Sequence, residues 1–144
     1  MSAAEPKVVS TSFPNVNAMT GDGRWVTLDV GFSYSSKDPY VVIMAIVAPG
    51  ELTPVIWDIS RDLFMSGIRG DKPNPYADVQ FSADPRGLLK LRLCPPAGTM
   101  DLFFDAEGIV EFINETFRVV PAGEEDVSDQ IEEIEKFLYQ WPDM

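Results

Sequence analysis

The sequence contains no histidine and a single cysteine, Cys94. Without histidine the chain lacks the usual general base at neutral pH, the central residue of serine-type triads and a common metal ligand. One cysteine excludes an internal disulfide framework and a thiolate zinc site built within one chain, and it suits a reducing compartment. Glycine-rich phosphate-binding loops are absent as well. These absences predict a protein that is not an enzyme and that uses no metal or cofactor.

Positive charge is also scarce. The chain has 11 lysines and arginines against 23 aspartates and glutamates, which gives a net charge of −12. Residues 124–144 contain eight acidic residues and one basic residue, Lys136. Affinity for nucleic acid depends on cations that displace phosphate counterions. Nucleic acid is therefore an unlikely partner on charge alone.

Long hydrophobic runs are missing. The most apolar stretch, residues 40–49, is too short to cross a bilayer as a helix, and the first residues do not resemble a secretory signal. A hydrophobic content of 45% over 144 residues predicts one domain with a packed core. We expect a cytoplasmic protein with an N-terminal arm at residues 1–23, partly strand, and a single domain at residues 24–144.

Alternating apolar and polar residues predict an antiparallel β-sheet of about six to seven strands. The clearest alternation follows Trp25, where Val26 to Tyr34 place apolar side chains at every second position. Residues 40–47 are apolar on both faces, and their valine and isoleucine content favours a strand. Further short strands are predicted at Val8–Phe13, Val55–Ile59, Ala77–Phe81, Leu89–Leu93 and Met100–Phe104.

Three helices complete the prediction of an α+β fold. A short helix follows the Trp57 strand, with Ser60 as its N-cap and Gly67 as its C-terminal stop. Asp105 caps a second helix, whose apolar positions recur at helical spacing as far as Phe117. A third, acidic helix closes the chain. Its apolar residues form a narrow stripe, which we call the C-terminal stripe: Val127, Ile131, Ile134, Leu138 and Trp141.

Three features are candidates for contact with a partner or a second subunit. The strand after Tyr40 is explained either by burial of both faces within one chain or by a second subunit that covers one face. The next helix begins with Arg61 and Asp62, which either pair locally and complement the helix dipole or face a partner. The C-terminal stripe packs on a core, a subunit or a partner helix. The interface candidates are therefore Tyr40, Arg61, Asp62, Val127, Ile131, Ile134, Leu138 and Trp141.

Several short motifs occur in an order that resembles the SsgA-like proteins, a small actinobacterial family tied to sporulation-specific cell division. Each motif alone is weak, whereas the ordered set from Asp38 to Glu124 is fairly specific. The motifs are Asp38-Pro39-Tyr40, Trp57, Ser60-Arg61-Asp62-Leu63 with Gly67, Asp78-Val79, the Leu-rich strand after Gly87, Pro96-Ala97-Gly98, the helix around Val110–Thr116 and Val120-Pro121-Ala122-Gly123-Glu124.

The resemblance implies an antiparallel sheet with helices, assembled as a bell-shaped homotrimer similar to whirly-type single-strand binders. It implies a non-catalytic role at division septa through protein–protein interaction. The implied partners are the tubulin-like division protein FtsZ, a paralogous SsgA-like protein and other copies of the chain. Effects on cell-wall remodelling and spore-wall formation are implied as well.

The whirly-like architecture raises an alternative function, the binding of single-stranded nucleic acid. Stacking of bases on aromatic side chains beside a basic groove is the usual mode of such binding. The net negative charge opposes it. The residues that would form the site are Arg86, Lys90, Arg92 and Arg118 as cations, and Trp25, Tyr76 and Phe81 as stacking platforms.

Overall fold

The computed structural model describes residues 5–94 and 98–125, and these residues form seven strands and two helices. The predicted α+β class is confirmed, including a short helix that directly follows the Trp57 strand. The elements in chain order are β1 (Val8–Thr20), β2 (Trp25–Ser35), β3 (Val41–Val47), β4 (Val55–Ser60), α1 (Arg61–Arg69), β5 (Val79–Ala83), β6 (Leu88–Leu93), β7 (Met100–Asp105) and α2 (Ala106–Val119).

All seven strands belong to one antiparallel sheet in the order β4-β3-β2-β1-β7-β6-β5. The sheet consists of two meanders, β1 to β4 and β5 to β7, in which neighbours in sequence are neighbours in space. The meanders are joined where Asn17 to Thr20 of β1 pair with Met100 to Phe103 of β7. Strands β4 and β5 are consequently the two edges of the sheet.

The first strand differs most from the sequence prediction. We expected an arm with a short strand at Val8–Phe13, whereas β1 runs to Thr20 and lies between β2 and β7. Pro14 does not end the strand, because a bulge between Phe13 and Val16 absorbs the irregularity. Within the bulge Asn15 adopts a φ of 58°, and its N–H donates to the Asp29 carboxylate at 3.0 Å. Residues 8–20 are therefore an integral strand of the sheet.

Both helices pack on one face of the sheet around a cluster of phenylalanine rings. Phe32 of β2 lies at the centre, with its ring 5.5 to 5.7 Å from those of Phe64, Phe104 and Phe112. Phe64 of α1 also contacts Phe81 of β5 at 4.6 Å. One helix thus touches strands from both meanders, which requires the sheet to curl around the helices.

The predicted end of α1 at Gly67 is wrong. The helix continues to Arg69, and Gly70 ends it with a φ of 79°. Gly67 is buried against β5, where a Cβ atom would lie 2.4 Å from the Cβ of Phe81. Glycine is required there by close packing. Ser60 occupies the N-cap position without a side-chain capping bond, whereas Asp105 caps α2 as predicted by accepting from the Glu107 N–H at 3.2 Å.

The predicted third helix and the C-terminal stripe (Val127, Ile131, Ile134, Leu138 and Trp141) lie outside the described residues.

Neither of the helices in the described part of the chain is long and apolar enough to cross a membrane.

Candidate interaction surfaces

Arg61, at the start of α1, is buried and ties that helix to the end of α2. Its side chain is 1% exposed. The guanidinium donates to the backbone carbonyls of Thr116 and Val120 at 3.2 and 2.7 Å and to the Glu125 carboxylate at 2.8 Å. The Thr116 carbonyl also accepts from the Val120 N–H at 2.9 Å, and the Val120 carbonyl belongs to the C-cap residue of α2. We call this arrangement the Arg61 clasp.

Two aromatic rings contact the guanidinium of the clasp. The guanidinium carbon lies 4.0 Å from the centre of the Phe117 ring and 5.0 Å from that of Tyr34. Hydrogen bonds from its own backbone N–H, from Arg61 and from the Gly123 N–H hold the pKa of the Glu125 carboxyl below its ordinary value. The Glu125 carboxylate therefore stays charged at neutral pH, and its contact with Arg61 fixes the chain shortly after α2.

The clasp accounts for one of the two residues of the charged turn, Arg61. Arg61 makes its contacts within the chain, although with residues 55 to 64 positions away and not by local pairing, and its contact with a partner would require the clasp to open. Asp62 is exposed in the first turn of α1, and Tyr40 is 47% exposed in the turn before β3. Whether Tyr40 or Asp62 contacts a partner remains a prediction.

Strand β3 is buried on one face only. Val42, Met44 and Ile46 point into the core, whereas the alternate residues point away from the helices. On that outer face Ile43 is 43% exposed. Ile56 of the neighbouring strand β4, which pairs with Ala45 of β3, is 55% exposed. The described residues cover only the inner face of β3, so burial of the outer face, by the rest of the chain or by a second subunit, remains a prediction. We call the exposed and half-buried apolar residues of this face the outer strip: Val41, Ile43, Ala45, Val47 and Ile56.

A second apolar surface opens on the helix-bearing face, at the end of the curled sheet away from the clasp. It is a cleft of about 370 Å³. Residues of the first meander meet residues of β6 and β7 there, so the cleft lies over the seam between the two halves of the curled sheet. We call it the seam cleft, and its main lining residues are Leu28, Ile46, Val55, Trp57, Leu93 and Met100.

Three of the four basic residues expected for nucleic-acid binding, Arg86, Arg92 and Arg118, are paired with carboxylates. Arg92 makes a bidentate contact with Asp101 at 2.7 and 3.0 Å, and Arg86 lies 2.8 Å from Asp84. Hydrogen bonds and the charge of Arg92 hold the pKa of Asp101 below its ordinary value despite partial burial. Phosphate would have to displace these carboxylates.

The expected stacking residues do not form one platform. Trp25 is exposed on the outer face of the sheet and packs against Phe103 at 5.5 Å, whereas Phe81 is buried in the core. Tyr76 lies in the loop before β5 and is almost fully exposed. Arg118 is on α2, on the other side of the sheet, and pairs with Glu115. The structure thus brings together only part of the predicted set.

Sequence reasoning missed the partners of Arg61 and the seam cleft. Glu125 is one of several consecutive acidic residues, and nothing local distinguishes it as the partner of Arg61. Leu28, Ile46 and Leu93 were predicted as apolar strand positions, but only the curl of the sheet brings them together. Long-range contacts of this kind leave no periodic signal in the sequence.

A family model described as Streptomyces sporulation and cell division protein, SsgA, matches residues 28–125 of the chain. The matched range begins in β2 and ends at the acidic partner of the clasp. It therefore contains both Arg61 and Glu125, the outer strip and the residues that line the seam cleft.

Two curated relatives carry the name sporulation-specific cell division protein SsgB. The protein from Kineococcus radiotolerans is 32% identical over 111 residues, which cover 74% of this chain and 65% of the relative. The protein from Thermobifida fusca is 31% identical over 108 residues, which cover 74% of this chain and 76% of the relative. The match thus spans slightly less than two thirds of the Kineococcus protein.

A solved structure has the same fold. It is described by the statement that mutations in SsgB correlate to longitudinal cell division during sporulation of Streptomyces coelicolor. The two structures superpose with a TM-score of 0.74 at 23% sequence identity, over 86% of this chain and 97% of the other. At this identity the likeness establishes the fold.

Proposed function

The chain belongs to the SsgA family of sporulation and cell division proteins, and from this premise we propose that it is a non-catalytic regulator that acts by protein–protein interaction. The family predicted from the ordered motifs is thereby confirmed. Its relatives are sporulation-specific cell division proteins, which supports a role in cell division. The proposed place of action is the cytoplasm at division septa.

The proposed mechanism is the positioning of FtsZ, either directly or through a paralogous SsgA-like protein, with cell-wall remodelling at septa as the alternative outcome. A protein of this kind needs surfaces that bind other proteins. Large exposed apolar patches on a folded domain mark such surfaces. Among the described residues, the outer strip is a surface of this kind.

The outer strip is the observation that carries the proposal. Four of its five residues lie on one strand and share one face with Ile56, so a flat partner surface can contact them together. Apolar residues at the centre of an interface supply most of its affinity when they become fully desolvated. We assign the strip to self-association, in a homotrimer of whirly-like architecture, which then presents the FtsZ-binding surface.

Light scattering on the purified protein, combined with co-sedimentation with FtsZ assembled in GTP, tests the proposal. We expect a trimer-sized particle that pellets with FtsZ polymers. A trimer that stays in the supernatant would retain the assembly and contradict direct FtsZ positioning. A monomer that also stays in the supernatant would contradict both parts.

Substitutions on the outer face locate the interface. Ile43→Lys and Ile56→Lys place a charge within the strip, and we expect each to shift the particle towards the monomer. Thr27→Lys is the matched control, since Thr27 is exposed on the same face of β2 but lies outside the strip. An unchanged particle size in both isoleucine variants would exclude the strip as the subunit interface.

A further inference from the structure

We propose that the C-terminal segment packs along the free edge of β4 of its own chain and fills the seam cleft with its apolar stripe, Val127, Ile131, Ile134, Leu138 and Trp141. These residues lie outside the described part of the chain. Three properties of the described residues and the pattern of the segment itself lead to this occupant. The packing is intramolecular and does not depend on the division role.

The first property is the chemistry of the seam cleft. Seven of its nine lining residues are aliphatic, aromatic or thioether, and the other two are Glu51 and Thr53. Val55 at its edge is 59% exposed. Each square ångström of apolar surface removed from water stabilises the fold by roughly 25 cal/mol. A cleft of about 370 Å³ accommodates two or three large side chains. It is therefore suited to apolar residues of a covering helix.

The second property is the unpaired edge of β4. This strand lies at one end of the strand order, so within the described residues its second edge has no β partner. It is also apolar, with Val55, Ile56 and Trp57 in succession. Exposed apolar edges promote aggregation, and proteins commonly cover them with a helix or a loop. A helix laid along β4 would protect this edge.

The third property is the point at which the chain leaves the described fold. The Arg61 clasp holds Glu125 beside the first residue of α1, immediately after β4 ends at Ser60. The C-terminal segment therefore starts at one end of β4, and the seam cleft lies at the other end. No second subunit is needed to bring the two together.

The dimensions agree with this placement. The six residues of β4 span about 20 Å at the usual rise of a strand. A helix from Val127 to Trp141 spans about 21 Å. Leu138 and Trp141 would then come level with Val55 and the cleft.

The pattern of the segment fits one groove. Its apolar residues are spaced by four, three, four and three positions, which gives a narrow stripe on a helix. The remaining positions are mostly acidic and would face solvent. A helix of this pattern covers one apolar surface and leaves a charged exterior, as expected beside an edge strand.

Crosslinking of the full chain tests the proposal. In a Cys94→Ser background, Val55→Cys and Leu138→Cys are combined and treated with a short bismaleimide. We expect both thiols to be consumed within one chain, so that the product runs as a monomer on a denaturing gel and joins the two peptides in mass spectrometry. A covalent dimer would show that a second copy supplies the stripe and would overturn the proposal.

A matched control uses the opposite face of the same helix. Lys136 lies two residues before Leu138 and therefore projects to the other side. Val55→Cys with Lys136→Cys should give little intramolecular product. Equal crosslinking of the two pairs, or none with either pair, would contradict an ordered packing of the stripe on β4.

A fluorescent probe of apolar surface provides a second measurement on the intact chain. We expect Leu138→Asp to increase the binding of anilinonaphthalene sulfonate several-fold, because the seam cleft becomes accessible, while Lys136→Asp leaves it unchanged. Equal binding by Leu138→Asp and the unsubstituted protein would overturn the proposal.

Discussion

The guanidinium of Arg61 contacts the carboxylate of Glu125 at 2.8 Å, although 64 positions separate the two residues in the sequence. The contact links the first residue of α1 to the segment that follows α2. Because Arg61 also donates to two backbone carbonyls, one side chain fixes both the end of α2 and the direction in which the chain continues.

Replacement of Arg61 should destabilise the fold. In Arg61→Met the carbonyls of Thr116 and Val120 lose a buried donor and Glu125 loses its counter-charge, so we expect the free energy of unfolding to fall by about 3 kcal/mol. Arg61→Lys keeps the positive charge, so we expect it to lose less stability than Arg61→Met. It should still lose some, because an ammonium group cannot serve three acceptors in one plane. Urea denaturation followed by circular dichroism measures both. A loss below about 1 kcal/mol in Arg61→Met would contradict the clasp.

The Arg92–Asp101 pair predicts a weak dependence of stability on acidic pH. A hydrogen bond from Arg92 lowers the pKa of Asp101 in the folded state, so the folded protein binds fewer protons than the unfolded chain. The contribution is complete above the ordinary aspartate value of about 3.9 and disappears as the pH falls through the lower folded value.

Denaturation of the unsubstituted protein and Asp101→Asn between pH 7 and pH 3 measures this contribution. Since Arg92 is partly exposed, we expect a difference of no more than about 1 kcal/mol at neutral pH, shrinking as the pH falls. A difference that grows on acidification would contradict the assigned direction of the pKa shift.

Gly67→Ala should be destabilising although alanine favours helices. Its methyl group would lie 2.4 Å from the Cβ of Phe81, so α1 must move away from β5. We expect a loss of about 1–3 kcal/mol in thermal or urea denaturation. Gly108→Ala is a matched control in α2, because its methyl group meets the far end of the Phe13 ring, which can rotate away. Equal losses in the two variants would contradict this difference in packing.

Single-stranded nucleic acid should not bind specifically. The paired arginines and the net charge of −12 both oppose phosphate. Fluorescence anisotropy of a labelled single-stranded oligonucleotide at low salt should show no change on addition of the protein. Binding that disappears at higher salt and in Lys90→Glu/Arg92→Glu would instead support the whirly-like alternative.

Much of the sheet could be predicted from the sequence because its strands alternate locally. In β2, the alternation from Val26 to Tyr34 identifies the face that is buried. Asp105 marks the start of α2, because it accepts a hydrogen bond from the N–H of Glu107, two residues away. Such features depend on neighbours in sequence. Only the first part of β1 could be predicted in this way, since Pro14 and Asn15 interrupt the pattern at its bulge.

The features missed at the candidate surfaces depend on distant residues. Gly67 resembled a helix stop because its contact with Phe81 is invisible before β5 is placed. The sequence marks residues 40–47 as an unusual apolar strand, but only the fold shows which of its faces the described residues leave uncovered. The partner of Arg61 could not be chosen among the acids of residues 124–126 by spacing alone.

The junction between the two meanders has a consequence for folding kinetics. Each meander forms from contacts between neighbouring strands, but β1 finds its second neighbour only when Asn17 meets Phe103. During synthesis β1 can therefore pair with β2 early, but it cannot pair with β7 until almost the entire sheet has left the ribosome. Pairings of such long sequence separation close slowly. Formation of the four residue pairs between β1 and β7 is consequently the expected rate-limiting step of folding. Destabilising these pairs should slow folding of the whole domain but not the formation of either meander.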